Sequence, residues 1–286
     1  MFVVMGGTGH VGAACAAALL ARGAAVTVVT RDARHAAALA ARGAAVAEAD
    51  ATDVDALRAV FARGRRAFLL NPPADVADDT DVAERRTVAT ILAALDGSGL
   101  EKVVAASVLG ARRGRRVGDL SVLWELEEGL RRQPIPAAIN RGAYYMSNYA
   151  PLVETVRRTG ELPSMLPADL VLPMVAPRDL GEAAARRLLS PLDDVGIRDV
   201  EGPARRSPAD VAAILSQLLD RPVTVTATPR DNWVDAFVRL GFSAAAADAY
   251  ARMTAVSVDE TVALREDAII GETTLEDYLA SVVTAV

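Results

Sequence analysis

A short glycine-rich segment near the amino terminus follows a first apolar run and precedes an alanine-rich stretch, which a second apolar run follows. The first apolar run extends from Phe2 to Met5, the alanine-rich stretch ends at Gly23, and the second apolar run extends from Ala25 to Thr30. Runs of this length and composition, interrupted by glycine, predict the order strand, turn, helix, strand. The turn itself reads Gly6-Gly7-Thr8-Gly9-His10-Val11-Gly12.

The glycine spacing in this turn is typical of a dinucleotide-binding site. Gly7, Gly9 and Gly12 fit G-x-G-x-x-G, and Gly6, Gly9 and Gly12 fit the variant G-x-x-G-x-x-G. Such glycines permit a tight turn, let the backbone approach a pyrophosphate and let helix and strand pack closely. The free N–H groups at the helix amino terminus then bind the anion. We therefore predict that Gly6 to Gly12, including Thr8, His10 and Val11, bind the cofactor; a purely structural turn is the alternative.

The residues after the second strand indicate which nicotinamide dinucleotide this turn would bind. An acidic residue there binds the ribose 2′-hydroxyl of NAD, whereas an arginine accommodates the 2′-phosphate of NADP. Arg31 comes first and Asp32 follows, with Arg34 and His35 one helical turn further on. This order favours NADP(H) and leaves NAD(H) as the less favoured cofactor. A solvated arginine at a helix start is the structural alternative.

Further candidate cofactor residues follow other predicted strands, at the sheet edge where such folds bind dinucleotides. They are Asp50 and Ala51 after a strand over 45–49, Asn71-Pro72-Pro73 after a strand over 67–70, and Ser107 after a strand over 102–106. We expect Asp50 to approach the adenine, unless it serves only as a turn residue. Asn71 and the two prolines are expected to line the nicotinamide ribose.

Predicted strands alternate with predicted helices over the first half of the chain. The helices span 10–22, 33–42, 54–63, 79–95 and 120–132, and a sixth strand spans 135–140. Such alternation predicts an α/β fold of Rossmann type, a doubly wound parallel sheet with helices on both faces.

Polar and aromatic residues cluster after the sixth strand, where Tyr144, Tyr145 and Asn148 follow one another closely. A pocket lining is favoured over a helix that only caps the sheet. Together with Ser107, these three residues are the candidates to orient a substrate or donate a hydrogen bond to it. A nearby loop carries four arginines between Arg112 and Arg116; it either holds an acidic substrate or is a solvated loop.

The composition changes after Pro151, where prolines recur and the predicted elements become shorter. We predict a dinucleotide-binding domain over 1–150, completed by about 170–202, where a strand near 197–200 returns to the sheet. Residues 203–286 are predicted to form a small α+β substrate-binding domain. Its helices span 208–219, 232–240, 244–254 and 275–283, with a strand over 223–227.

Charge and composition limit the classes of partner. The formal net charge is −6 and the sequence has no long basic stripe, which argues against nucleic acid. No apolar run is long enough to cross a bilayer, and no secretory signal precedes the first strand, so we expect a cytoplasmic protein with a small-molecule substrate. Cys15 is the only cysteine, which excludes an intrachain disulfide. We expect no metal site, and a homodimer is compatible with the sequence.

These motifs together resemble the NmrA-like atypical short-chain dehydrogenases/reductases over nearly the whole chain. The matching segments are the turn Gly6–Gly12, Thr30-Arg31-Asp32, Asp50-Ala51-Thr52-Asp53, Asn140-Arg141-Gly142 with Tyr145 and Asn148, and Arg178-Asp179-Leu180. The resemblance implies a Rossmann domain that prefers NADP, with the substrate held between this domain and the carboxyl-terminal one. The group includes NADPH-dependent quinone reductases, triphenylmethane reductase, isoflavone-reductase-like enzymes and nucleotide-sensing regulators.

One departure from the wider dehydrogenase pattern restricts the chemistry. Most short-chain dehydrogenases use Tyr-x-x-x-Lys to pass a proton, but Lys102 is the only lysine here and no tyrosine precedes it by four residues. Three hypotheses follow. The chain is an NADPH-dependent oxidoreductase acting on quinones, enones or imines, which need little acid assistance. Alternatively it is a redox sensor that binds NADP without turnover and signals to a protein partner. The third alternative is a non-redox cyclase or dehydratase.

Overall fold

The computed structural model describes residues 1–260 and 263–285 and is built around one parallel β-sheet. The strands are β1 (Phe2–Val4), β2 (Val26–Thr30), β3 (Ala45–Glu48), β4 (Arg66–Leu69), β5 (Lys102–Val108), β6 (Ala137–Gly142), β7 (Tyr144–Tyr145), β8 (Glu161–Ser164), β9 (Leu172–Val175), β10 (Gly196–Glu201), β11 (Arg205–Arg206), β12 (Thr224–Ala227) and β13 (Ile269–Ile270). The helices are α1 (His10–Ala21), α2 (Ala37–Ala40), α3 (Val54–Phe61), α4 (Thr80–Leu95), α5 (Asp119–Arg131), α6 (Val153–Thr159), α7 (Pro177–Leu189), α8 (Pro208–Leu218), α9 (Trp233–Arg239), α10 (Ala244–Asp259) and α11 (Leu275–Ala285).

Eight strands form the central sheet in the order β13-β10-β6-β5-β4-β1-β2-β3, and every pairing in it is parallel. The chain starts at β1, runs outward through β2 and β3, and then crosses over to β4 on the other side of β1. This reversal makes β1 and β4 the switch point of the sheet, and ligands of such folds bind at the carboxyl ends of the strands there. The predicted Rossmann-type topology is confirmed.

Alternating side chains on the strands build one core on each face of the sheet. Val4 and Phe68 face α1, α2 and α7, whereas Val3 and Leu69 face α3, α4 and α5. Successive residues of a strand point to opposite faces, so a sheet covered on both sides needs runs that are apolar throughout. Cys15 is fully buried on the inner face of α1.

A second, smaller unit packs against the carboxyl edge of the sheet region. Its main core joins the helices α6, α8 and α11 to strands β8 and β9, and a smaller core lies between α9 and α10. Two small sheets belong to it, ordered β11-β9-β7 and β12-β8. The unit therefore includes residues from about 144 to 175 as well as those after 203. The sequence had predicted a domain formed by residues 203–286 alone.

The carboxyl-terminal part of the chain also returns to the main sheet. The short strand β13 pairs with β10, and buried Asp179 of α7 accepts hydrogen bonds from the N–H and Oγ1 of Thr273 at 3.0 and 2.9 Å. Residues 261–262 and 286, which fall within the predicted domain 203–286, lie outside the described residues. Among the described helices, none is long and apolar enough to cross a membrane.

Most predicted element boundaries agree with the structure to within a few residues, and the differences have local causes. The segment predicted as one helix over 33–42 is a 3-10 helix, Ala33–Ala36, followed by the short α2. Asp32 starts that 3-10 helix by accepting a hydrogen bond from the Arg34 N–H, a capping role that the prediction had not assigned. Asp53 caps α3, since its side chain accepts hydrogen bonds from the N–H groups of Asp55 and Ala56.

Helices α1 and α7 approach closely because position 181 is glycine. A Cβ at Gly181 would lie 2.6 Å from the Cys15 backbone nitrogen, which is too close for any side chain. We expect Gly181→Ala to reduce the free energy of unfolding by about 1–3 kcal/mol, measured by chemical denaturation, because it overpacks this contact. Arg186→Ala on the exposed side of α7 is the control and should have little effect. Equal losses in the two variants would contradict the close approach.

Candidate functional site

The glycine turn places the uncapped start of α1 at the carboxyl end of β1. Gly6 has a φ of +62°, which suits glycine, and its carbonyl oxygen accepts the Gly9 N–H at 2.9 Å. A Cβ at Gly12 would overlap that same carbonyl, so only glycine allows helix and turn to approach this closely. No side chain caps α1 at Gly9, and its first turn has no acidic residue. The first N–H groups of α1 are therefore available to an anion such as a pyrophosphate.

The other residues of the turn divide into exposed and buried ones. Thr8, Gly9 and His10 are exposed, whereas the Val11 side chain packs in the core beneath α1. Val11 can therefore offer a ligand its backbone N–H but not its side chain. Since the free N–H groups and a glycine backbone are the donors that a diphosphate requires, the turn fits a dinucleotide.

The residues after β2 form a small exposed cluster of charges. Arg34 pairs with Asp32 through a 2.6 Å contact between Nη2 and Oδ2, and its N–H also bonds Oδ1 at 2.9 Å. These bonds from Arg34 hold the pKa of Asp32 below its usual value. Arg31 and His35 are exposed beside this pair. Arg31 and Arg34 are thus exposed at the end of β2. Asp32, the acidic residue that could bind the ribose of NAD, is already paired with Arg34.

Asp50, at the end of β3, has the turn geometry that was one of its two predicted roles. Its Oδ1 accepts hydrogen bonds from the Thr52 N–H at 2.8 Å and from Thr52 Oγ1 at 2.7 Å. These bonds, with a smaller contribution from the Arg31 charge, lower the pKa of Asp50. Ala51 is half-buried in the same turn. Asp50 keeps its second carboxylate oxygen outside this turn, so contact with an adenine remains a prediction.

The loop after β4 lies at the same edge, on the other side of the switch point. Asn71 and Pro72 are half-buried and Pro73 is exposed. The Asn71 Oδ1 atom is buried and has no hydrogen-bond partner among the described residues. Buried polar atoms are rarely left unpaired, so this oxygen marks a position where a ligand group can bind.

Ser107 lies near the end of β5 but its hydroxyl is directed into a buried ion pair. Its Oγ donates to Glu127 Oε1 at 2.6 Å, and it is opposite Arg141 in the neighbouring strand β6. Arg141 binds both carboxylate oxygens of Glu127, at 2.8 Å from Nε and 2.7 Å from Nη2. The Glu127 side chain is only 1% exposed. Glu127 therefore accepts the hydrogen bond of the Ser107 hydroxyl and joins α5 to the two strands.

The three remaining candidate residues lie in two different parts of the structure. Tyr144 and Tyr145 are neighbours in β7, so their side chains point to opposite sides. Tyr144 packs on the core of the smaller unit, where it bonds the exposed Asn148, whereas Tyr145 packs on the core of the main sheet. Burial raises the pKa of Tyr145 to about 12, with a further contribution from the charge of Asp119. Only Tyr145 thus faces the main sheet.

Two carboxyl groups that the sequence patterns did not predict as site residues lie on helices α4 and α5. Glu84 of α4 and Asp119, the first residue of α5, are within hydrogen-bonding contact of each other. Burial raises the pKa of the Glu84 carboxyl above its ordinary value of 4.5, and the negative charge of Asp119 raises it further. Burial likewise raises the pKa of Asp119. Two carboxylates this close repel, which favours a state in which they share one proton.

A helical pattern in the sequence could have identified Glu84. It lies one turn after Thr80 and two turns before Ile91 on the side of α4 that packs inward, where Asp81 is the only other charged residue that is buried. A charged residue in such a position needs a partner or a function. Asp119 and Glu127 carry no such signal, because their partners come from distant parts of the chain.

The arginine loop before α5 is held in place by ion pairs. Arg112 contacts Glu260 at 2.7 Å, and Arg116 contacts Asp79, the cap of α4, at 2.8 Å. Arg113 is exposed between them. Two of the four arginines are therefore already paired with acidic side chains, rather than free to hold an acidic substrate.

Lys102 lies far from these groups, at the first residue of β5 and so at the amino edge of the sheet. Its Nζ donates to Ser190 Oγ and to the Pro191 carbonyl, both at 2.8 Å. The candidate residues follow the carboxyl ends of the strands, so the lysine lies at the opposite edge.

Comparisons with known proteins agree on one family. The sequence profile of the NmrA-like family matches residues 1–279. The NAD(P)H azoreductase of Xenophilus azovorans is 25% identical over 263 residues, which cover 92% of this chain and 89% of that protein. Two solved structures share the fold. An NADPH-dependent quinone oxidoreductase of Escherichia coli, in complex with NADPH, has a TM-score of 0.80 at 19% identity, covering 98% of this chain and 99% of that one. A triphenylmethane reductase of Citrobacter sp. has a TM-score of 0.81 at 18% identity and 99% coverage of both chains.

The buried ion pair predicts a large difference between two neighbouring glutamates. Glu127→Ala should reduce the free energy of unfolding by about 3–5 kcal/mol, because it leaves the Arg141 charge buried without its partner. Glu128→Ala removes a partly exposed carboxylate that pairs with Arg131 and should cost less than about 1 kcal/mol. Chemical denaturation measures both. Similar losses in the two variants would show that the Glu127–Arg141 pair does not stabilise the corner between α5, β5 and β6.

Proposed function

Because this chain belongs to the NmrA-like family, we propose that it is an NADPH-dependent reductase that delivers hydride to a conjugated, electrophilic acceptor of quinone, enone or imine type. The observation that carries this proposal is the uncapped amino terminus of α1, held against the switch point of the sheet by a turn that only glycine can form. A dinucleotide diphosphate fits this arrangement of free N–H groups.

The cofactor would extend along the carboxyl edge of the sheet in both directions from the turn. The exposed Arg31 guanidinium, after β2, is the candidate for a 2′-phosphate, whereas the Arg34 guanidinium is paired with Asp32. Asn71, after β4, has a free carbonyl oxygen for the nicotinamide half. Bound there, NADPH supplies the hydride; the protein contributes position and the exclusion of water.

The acceptor class follows from the similar proteins and from the position of Lys102. The relatives are named for azo, quinone and triphenylmethane acceptors, all of which are conjugated. Such compounds delocalise the incoming charge and need less acid assistance than a simple ketone. Lys102 lies at the opposite edge of the sheet, which supports a reaction without the Tyr-x-x-x-Lys relay. Tyr145 is the residue best placed to orient the acceptor, because it faces the main sheet from the smaller unit.

Replacing Arg31 tests the assignment of the coenzyme. Arg31→Ala should weaken NADPH binding by about ten- to a hundredfold, because each charge-assisted hydrogen bond to a phosphate contributes about 1.5–3 kcal/mol. NADH, which lacks the 2′-phosphate, should bind almost as before. Titration calorimetry measures both affinities, with Arg63→Ala, an exposed arginine near the opposite edge of the sheet, as the control. Equal losses for the two nucleotides would contradict the assignment.

Replacing Tyr145 tests the acceptor site. Tyr145→Phe should lower kcat for NADPH oxidation with a quinone by about tenfold, since a hydrogen bond worth about 1.4 kcal/mol changes a rate by that factor. Affinity for NADPH should stay the same, and Tyr278→Phe on α11 is the matched control.

The same assays separate the reductase from its alternatives. Tight binding of NADP without turnover on any quinone, azo compound or enone would favour a redox sensor. Product formation in the absence of any nicotinamide would favour a non-redox enzyme.

A further inference from the structure

The carboxyl pair of Glu84, which is buried, and Asp119, which is half-buried, lies at a corner between several elements of the site. Glu84 is 4% exposed, although it carries a carboxyl group, and the loop after β4 contacts it through the Ala74 N–H, which donates to Oε1 at 3.1 Å. Asp119 comes directly after Gly118 at the start of α5. The pair therefore lies where the loop after β4 meets the helix that follows β5, on the nicotinamide side of the switch point.

The groups around the pair do not neutralise it. Asp81 lies on the same helix and adds negative charge, although Arg85 pairs with it at 2.8 Å. Arg116, in the loop before α5, is paired with Asp79. The other titratable groups that face the pair are Tyr145 of β7, near Asp119, and Tyr250 of α10, near both carboxyls. With two tyrosines and a third carboxylate as neighbours, the pair keeps its proton by sharing it.

Two unpartnered polar atoms, each on an element that contacts Glu84 or carries it, point to a ligand or solvent group at this corner. Thr80, one turn before Glu84 on the same side of α4, is 1% exposed, and its Oγ1 has no hydrogen-bond partner among the described residues. Asn71 Oδ1, three residues before the donor Ala74, is likewise buried and unpartnered. A hydroxyl and an amide oxygen left free beside a carboxyl pair can bind polar groups that carry protons.

We propose that Glu84 and Asp119 together are the proton reservoir of the reductase, from which the acceptor takes its proton. This inference rests on the proposed function. The acceptor gains a hydride, with its two electrons, from NADPH, which becomes NADP⁺. It gains the shared proton of the carboxyl pair. The pair, left with two negative charges, recovers a proton from solvent, so the balance is acceptor plus NADPH plus H⁺ to reduced acceptor plus NADP⁺.

The need for a proton differs between acceptors, and this difference provides the test. Menadione, a quinone, consumes a proton when it is reduced by hydride. Malachite green, a triphenylmethane cation, becomes neutral on accepting hydride alone and needs no proton. Glu84→Gln keeps the shape of the side chain but removes the acid. We expect this variant to lower kcat for menadione by about a hundredfold and to leave kcat for malachite green unchanged.

A second measurement does not depend on turnover. A carboxyl whose pKa is raised by folding binds its proton more tightly in the folded state. The contribution of Glu84 to stability is therefore fully present below the ordinary glutamate value of 4.5 and is lost as the pH rises from there through the raised pKa. Thermal unfolding of the wild type across this range should show that fall, and Glu84→Gln should remove it. Glu125→Gln, a half-exposed carboxylate on α5, is the control and should behave as wild type in both assays.

The outcomes distinguish this inference from the function on which it rests. A wild-type protein that reduces neither acceptor would overturn the proposed function and the inference with it. Equal loss of activity on both acceptors in Glu84→Gln would show a structural role only. An unchanged rate with menadione, or an unchanged dependence of stability on pH, would also overturn the proton reservoir. Should Glu84→Gln fail to fold, Asp119→Asn removes the other acid of the pair and carries the same expectations.

Discussion

The contact between the Gly12 backbone and the Gly6 carbonyl is the constraint on which the rest of the site depends. It brings the start of α1 onto the end of β1 with its first N–H groups uncapped, so an anion can complete their hydrogen bonding. Because α1 also packs closely on α7 at Gly181, the position of the turn is tied to the strands that α7 covers. The candidate cofactor residues are then those that follow the strands on either side of this turn.

The two buried glutamates of this site, Glu127 and Glu84, have different partners. Glu127 has a bidentate partner in Arg141 and the Ser107 hydroxyl as a third contact, so its negative charge is balanced. Glu84 has another carboxyl as its neighbour and one backbone N–H as a donor. The first arrangement stabilises an ion pair and joins elements of the fold. The second favours protonation, since a low-dielectric site cannot hold two adjacent negative charges without cost.

The smaller unit contributes to the site through the alternation of a single short strand. Tyr144 and Tyr145 are adjacent in β7, yet one belongs to the core of the smaller unit and the other to the main sheet. The strand therefore acts as a boundary between the two. Ser243, at the start of α10, adds to this boundary by donating to the Asp78 carbonyl at 2.7 Å. The proposed acceptor side of the site thus draws on elements from both parts of the chain.

Local pattern was enough to determine the doubly wound sheet, the order of its strands and helices along the first half of the chain, and the glycine turn at its start. These features depend on the spacing of apolar residues and on glycine backbone freedom, which act over a few residues. Tertiary structure alone decided that Ser107 bonds Glu127, that Asp32 is engaged by Arg34, and that Glu84 meets Asp119. Partners such as Glu84 and Asp119 come from separate helices, and a hydrogen bond or a shared proton depends on distances of a few ångströms that sequence spacing does not encode. The residues that belong to the smaller unit were also decided by the tertiary structure, because its core is assembled from segments on both sides of β10.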